Sequence, residues 1–142
     1  MRSLIFELRP GSIERDGLSQ ALKTHATAVE SRVGLPIRLE VDLDERLPLN
    51  VEETLYRIAQ EALHNIVRHA GAKLAELRLQ RIPGWARLIV RDDGRGFDAA
   101  GIPEGHLGVA GMRTRAERMG GRFSLASAPG EGTTVTVELP VL

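Results

Sequence analysis

Four things are missing from this chain of 142 residues. It has no cysteine, which removes disulfides, thiol catalysis and cysteine-ligated zinc from consideration. It has no excess charge: 19 basic side chains balance 19 acidic ones, so no bulk field argues for nucleic acid or an anionic membrane as partner. No apolar run approaches the roughly 20 residues needed to span a bilayer. The N-terminus lacks the charged, apolar and small-residue order of a secretory signal, so the expected location is the cytoplasm. A hydrophobic fraction of 42% suits one folded domain, which at this length buries roughly two-thirds of its unfolded surface.

What the chain does have is glycine in one place. Ten of its 15 glycines lie between Gly94 and Gly132, at 94, 96, 101, 105, 108, 111, 120, 121, 130 and 132. Glycine admits φ > 0 and lets a ligand approach the backbone without meeting a Cβ. Clustered between a strand and a helix, glycines suggest backbone N–H groups arranged around an anion, most often phosphate.

Periodicity supplies the frame. Arg2–Arg9 carries Leu4, Ile5 and Leu8 at helical spacing and stops at Pro10-Gly11, like the tail of a longer helix. Asp16 can cap a helix over about 17–33, with Leu18, Leu22, Val29 and Val33 on one face and Gly34 ending it. Ile37, Leu39 and Val41 alternate with charged residues, which predicts a half-buried strand over 36–42. The longest helix is predicted over about 49–70, its stripe formed by Val51, Leu55, Ile58, Ala62 and Ile66, with Gly71 at its end. Strands over 73–81 and 85–91 flank a Pro83-Gly84 turn. After the glycine-rich segment come a helix over 108–119 and a hairpin pairing 122–127 with 133–139. There is no internal repeat. Three helices and about five strands imply an α+β fold, a two-layer sandwich with a mixed sheet and the helices on one face.

Four constellations carry chemistry. Glu61 and Asn65, four residues apart, lie about 40° apart around the helix axis, at the border of the apolar stripe. That is where a cleft wall places polar groups, and an Asn side-chain oxygen is a suitable hard ligand for Mg²⁺. Arg68 and His69 continue along that flank within reach of phosphate oxygens. Taken alone, the helix reads more simply as amphipathic with a polar edge. Asp92 ends a strand just before glycines, where its carboxylate can accept from an exocyclic amine such as adenine's; a turn aspartate assisted by Asp93 is the plainer reading. Gly108 and Gly111 open a helix whose free N–H groups favour phosphate, or mark a flexible helix start. Gly132-Thr133-Thr134 opens the last strand and by itself is an ordinary turn followed by β-branched residues.

Their order and spacing are more specific than any one of them. Gln60–Ala70, Asp92–Gly96, Gly105–Met112 and Gly132-Thr133 resemble, in sequence, the N box, the D-x-G-x-G box, the second glycine box and the closing G-T element of the GHKL ATP-binding family, whose Bergerat fold serves histidine kinases, gyrase-type topoisomerases, Hsp90 and mismatch-repair proteins. The resemblance covers about Pro48 to the C-terminus. Leu55–Ala62 and Gly105–Arg113 are similar to the nitrate-sensor-like branch of histidine kinases, and Phe6–Pro10 resembles the exit from that branch's dimerisation helices.

The resemblance implies ATP and Mg²⁺ as cofactors and assigns roles by position. Asn65 would ligate Mg²⁺, and Asp92 would bind the adenine amino group. Gly94 and Gly96 would let the base lie against the backbone. Gly108 and Gly111 would shape the triphosphate site and the hinge of a short lid between Phe97 and Gly105. Thr133 would support Asp92 and the adenine. Arg68, His69 and His106 are phosphate or lid candidates, and Glu61 is the catalytic candidate, as a hydrolytic base or as a group tuning Mg²⁺ or an acceptor imidazole. Residues 1–10 would be the tail of a dimerisation helix and 11–142 the catalytic domain.

One departure limits what this chain does by itself. Of its four histidines, His64, His69 and His106 fall in the nucleotide motifs, and His25 lies near an apolar stripe without the charged surroundings of an acceptor. The expected partners are therefore ATP, the dimerisation helices with their acceptor histidine, and a response regulator, with no nucleic acid. The fragment is expected to be a monomer and the full protein a homodimer that could be anchored in a membrane. Rival readings are an anti-sigma-factor serine kinase of the same fold and a nucleotide-binding module without turnover. A clamp-type ATPase is disfavoured because no transducer domain follows the nucleotide motifs.

Overall fold

The computed structural model describes residues 10–98 and 108–141, with side chains from Ile13 onward. The helical tail expected over Arg2–Arg9, His106 and most of the expected lid lie outside the described residues. The element order is α1 (Pro10–Val33), β1 (Ile37–Asp42), α2 (Leu49–Asn65) continued by a π-helical turn (Ile66–Ala70), β2 (Ala75–Ile82), β3 (Trp85–Asp92), α3 (Val109–Arg118), β4 (Arg122–Ser127) and β5 (Thr133–Pro140). Every predicted element among the described residues is present. Two details differ. The helix predicted over 17–33 is preceded by a short helical piece from Pro10, the two being joined as α1 across a break at Gly17 (φ 89°, ψ 162°). The last turn of the long helix is π-helical rather than α-helical, and ends at Gly71 in the left-handed region, φ 60°.

The five strands form one sheet in the order β1-β2-β3-β5-β4. β1 runs parallel to β2, with α2 as the crossover a parallel pair requires. The other pairings are antiparallel. Strand alternation sorts the faces: Ala75, Leu77 and Leu79, Ala86, Leu88 and Val90, and Val135, Val137 and Leu139 are all buried toward the helices. The opposite face carries charges in ion-paired rows, Arg38–Glu76, Arg78–Glu40 and Arg87–Glu138. The stripe of α2 is buried as its spacing predicts, Leu55 and Ile58 completely. Each such side chain contributes about 1.5–3 kcal/mol of transfer free energy. This core fixes α2 across the sheet and so fixes what lies at the helix's far end.

Candidate functional site

β3 is the central strand, and Asp92 is its last residue, in register with Ala75 on one side and Thr133 on the other. Alternation places its side chain in the same inward row as Ala86, Leu88 and Val90. A carboxylate thus occupies the end of an apolar row, 7% exposed. Burying a carboxylate is costly unless it is satisfied. Here the backbone N–H of Gly94 donates to Asp92 Oδ1 at 2.7 Å. Burial is the dominant influence and pushes the carboxyl above its ordinary range; neighbouring Asp93 adds to this, and backbone hydrogen bonds from Gly94 and Thr133 oppose it.

Asp92 stands at the base of a mainly apolar slot between the sheet and the helices. Ala62, Asn65, Ile66 and His69 come from α2 and its π turn; Val90, Gly96 and Phe97 from β3 and the following loop; Val109 and Met112 from α3; Leu125, Thr133 and Val135 from the final hairpin. Asn65 and His69 are the polar groups at the helix side. Of the two residues that the sequence put on one flank, both exposed, His69 lines the slot, whereas Arg68 borders neither this slot nor the cleft beside it.

The loop that closes the slot is held by chain-to-chain contacts that only glycine permits. A Cβ on Gly94 would stand 2.3 Å from the Ala70 carbonyl oxygen. That closeness allows Arg95 N–H to donate to the same carbonyl at 2.8 Å, tying the loop to the end of the π turn. Gly96 (φ 63°) fits against Ala128 O, and Gly132 (φ 73°) against Asp92 O. Gly96 lines the slot; Gly94 packs on Ala70, and its lack of a side chain serves closure of the loop.

Ser127 went unnoticed in the sequence. Its hydroxyl accepts from Phe97 N–H at 3.0 Å, donates to Gly132 O at 3.0 Å and lies 2.8 Å from Thr133 Oγ1. With its one proton on Gly132, Ser127 accepts from Thr133, which leaves Thr133 Oγ1 as an acceptor at the slot. A serine carries no motif of its own; only its hairpin register opposite Thr133 pointed to it. Asp93, the assisting turn residue of the sequence reading, accepts from the backbone N–H groups of Lys73 and Leu74, which hold its carboxyl below the usual range.

A second, more polar cleft adjoins the slot across Met112, which borders both. Glu61, His64, Arg57, Gly108, Gly111 and Arg115 line it, with His25 and Arg32 from α1. Glu61 and Asn65 thus open on neighbouring depressions. Gly108 (φ 67°) precedes α3, and a Cβ there would meet Glu61 Oε2 at 2.5 Å. Gly111 is exposed, with open space where a side chain would go. His25 packs edge-on against Tyr56, ring centroids 5.9 Å apart, as its position near the apolar stripe led one to expect. Among the described residues no three His, Cys, Asp or Glu side chains are grouped to hold a metal ion. No described helix is long and apolar enough to cross a membrane.

Comparison with known proteins agrees with this fold. The chain is 35% identical over 145 residues to the sensor histidine kinase NarS of Mycobacterium tuberculosis, covering 99% of this chain and 33% of that protein. It is 36% identical over 149 residues to the sensor histidine kinase YhcY of Bacillus subtilis, covering 99% of this chain and 36% of that protein. It therefore spans about a third of the length of these relatives. Among solved structures, the histidine kinase domain of the blue-light activated histidine kinase of Erythrobacter litoralis EL346 superposes with a TM-score of 0.72 at 27% identity, over 87% of this chain and 61% of that one. A family profile matches residues 50–142, the stretch that contains both α2 and the Asp92 loop, and the chain belongs to the histidine kinase-, DNA gyrase B- and HSP90-like ATPase family.

Proposed function

We propose that this chain is the ATP-binding catalytic domain of a sensor histidine kinase, passing the γ-phosphoryl group of ATP to a histidine on dimerisation helices that this chain does not supply. The observation that carries the reading is Asp92: a buried carboxylate at the base of an apolar slot, an arrangement that suits a flat ring bearing an amine. In this reading Asp92 accepts from the adenine amine, and Thr133, its hydroxyl oriented by Ser127, offers a second acceptor. Gly96, Val90 and Leu125 cover the faces of the base.

The residues present also fit Mg²⁺. Asn65 offers one hard oxygen donor at the slot, and Mg²⁺ typically takes one or two protein oxygens and completes its shell with phosphates and water. Bound there, the ion would neutralise phosphate charge. Asn65 would hold the metal, and His69 would hold phosphate oxygens, with Arg68 outside the slot as a weaker contributor. Gly108 and Gly111 would border the phosphate end, where α3 begins, and His106 belongs to the adjoining segment. Glu61, in the cleft next to Asn65, faces the side from which an acceptor would enter, and would orient the acceptor imidazole or take its proton. Residues 1–10 would lead to the dimerisation helices, with a response regulator as the later recipient.

The test is incubation with γ-labelled ATP, with and without polypeptide carrying the acceptor helices. The chain alone should bind ATP and stay unlabelled, because transfer depends on alignment of acceptor, metal and γ-phosphate. With the helices present, label should appear on a histidine and be lost in acid but not in base. Acid-stable label on serine would support the anti-sigma-factor reading instead. Stoichiometric labelling of the chain alone would overturn the proposal and point to His25.

A further inference from the structure

Glu52, in the first turn of α2, is 1% exposed and borders neither the slot nor the cleft. Its partner is Arg46. The guanidinium donates through Nη2 to Glu52 Oε1 at 2.8 Å and through Nε to Oε2 at 3.0 Å. Leu47 N–H adds a third donor to Oε2 at 3.2 Å. Arg46 does more than neutralise Glu52. Its Nη2 also donates to the carbonyls of Ile13 and Glu14, at 3.0 and 3.2 Å. Those carbonyls close the short first piece of α1, just before the break at Gly17. A cation at the end of a helical piece satisfies carbonyls that have no helical partner. Gly17 makes room for the arrangement, since a Cβ there would meet Arg46 Nε at 3.1 Å and Cδ at 3.2 Å.

Two helical pieces joined at a glycine have no fixed mutual direction. Glu52 is buried while the Arg46 side chain is half-exposed; an ion pair with a buried member is in general weak evidence of stabilisation, because desolvation offsets its attraction, and what it does supply is one defined geometry. Here that geometry joins the stretch before Gly17 to the start of α2. Asn65 lies on the same rigid helix 13 residues further on, about 20 Å away at 1.5 Å per residue.

We propose that Arg46 and Glu52 are positioning residues for phosphoryl transfer: clasped together, they grip the carbonyls of Ile13 and Glu14 and set the direction in which the preceding segment leaves the nucleotide-binding domain. This rests on the reading above that the acceptor histidine lies on helices leading into that segment. The transfer is unchanged in its balance. The bond from the γ-phosphorus to the bridging oxygen breaks, a phosphorus–nitrogen bond forms, ADP leaves, and the imidazole proton passes to a base or to water. What the clasp governs is how often the imidazole stands in line.

Two variants separate the clasp from the fold. Arg46→Met with Glu52→Leu replaces the ion pair by apolar side chains, an exchange that is often neutral for stability. Arg46→Lys keeps a cation for Glu52 but loses the planar fork that reaches both partners at once. Because the chain has no cysteine, spin labels can be placed at Glu14→Cys and Glu117→Cys without interference. The distance between them should be narrowly distributed in the parent and broad in both variants, while unfolding stays cooperative and Mg·ATP affinity stays at the parent value. In the protein extended by its acceptor helices, histidine labelling should slow by about a hundredfold, the scale expected when reacting groups are displaced by an ångström or so. The rate should fall in kcat, with KM for ATP unchanged. If the double variant does not fold, Arg46→Lys carries the test. Parent-like labelling in a folded variant with a broadened distribution would overturn the positioning role, and an unchanged distribution would overturn the clasp itself. Absence of histidine labelling in the parent would instead sink the kinase reading, and the distance distribution would still decide whether the clasp sets the segment's direction.

Discussion

Asp92→Asn changes one atom at the base of the slot and should separate binding from folding. In the parent, Gly94 N–H donates to Oδ1 at 2.7 Å and Thr133 N–H also donates to the carboxylate, whose remaining lone pairs leave an acceptor position for a ligand donor. The amide keeps its oxygen on Gly94 and turns its NH₂ toward the slot, so the ligand amine meets a donor instead of an acceptor. A hydrogen bond to a charged group is worth about 1.5–3 kcal/mol, and losing it weakens ATP about 10- to 150-fold at 1.4 kcal/mol per decade. Guanine nucleotides, which present a carbonyl oxygen at the same place, should gain relative to ATP. Stability should move the other way. Burial raises the carboxyl's pKa above its unfolded value, so the ionised form costs stability at pH values above the folded pKa, and that cost fades as pH falls through it. The neutral amide escapes the cost at pH 7, so the melting temperature should hold or rise. Calorimetric titration with ATP and GTP, beside thermal melts at pH 7, measures both. Parent-like ATP affinity would remove Asp92 from the site, and a melting temperature lowered by several degrees would show that the carboxylate is structural.

Other perturbations test the remaining parts. Asn65→Ala should lower the affinity for Mg·ATP by about tenfold or more (1.4 kcal/mol per decade) while leaving metal-free binding alone, as calorimetry with and without Mg²⁺ would report. Ser127→Ala removes the hydroxyl that joins Phe97, Gly132 and Thr133, and should cost about 1–3 kcal/mol in denaturant unfolding as well as some adenine affinity. Gly111→Ala meets open space in the first turn of α3 and should stabilise the fold by roughly 0.5–1 kcal/mol in the same assay. Adenosine, whose binding involves no phosphate titration, should bind more tightly as pH rises just above the ordinary carboxylate range, because accepting its amine favours ionised Asp92; Asp92→Asn should flatten that profile.

The frame of the molecule was legible because one face of each element is buried. The alternation of Ile37, Leu39 and Val41 and the five-residue stripe of the long helix each mark one face for a core, and turn residues such as Pro83-Gly84 bound the other strands, so type, order and approximate bounds followed. The candidate residues stood out in the sequence, but the distances between them did not. Asp92 stood out by ending an apolar strand, yet its satisfaction by Gly94 and its neighbour Ser127 depend on loop closure and hairpin register. The π turn could not be read, because a shift from i→i+4 to i→i+5 bonding has no compositional mark. Gly94 shows a similar limit: a glycine needed for contact with Ala70 looks in sequence like one needed for contact with a ligand. Arg46 and Glu52 belong to no motif, and only burial of Glu52 and the reach of Arg46 back to Ile13 and Glu14 give them a task.

The central claim is that the slot based on Asp92 holds an adenine nucleotide. Amide and side-chain NMR of this chain, titrated with Mg·ATP, tests it most directly. The account predicts saturable shifts centred on Asp92, Gly94, Thr133 and the Asn65 side chain, extending to Glu61 and Gly108 at the phosphate end, and smaller in Asp92→Asn at equal nucleotide. Shifts confined to the outer sheet face around Arg38 and Arg91, or no saturable shift at millimolar ATP, would contradict it.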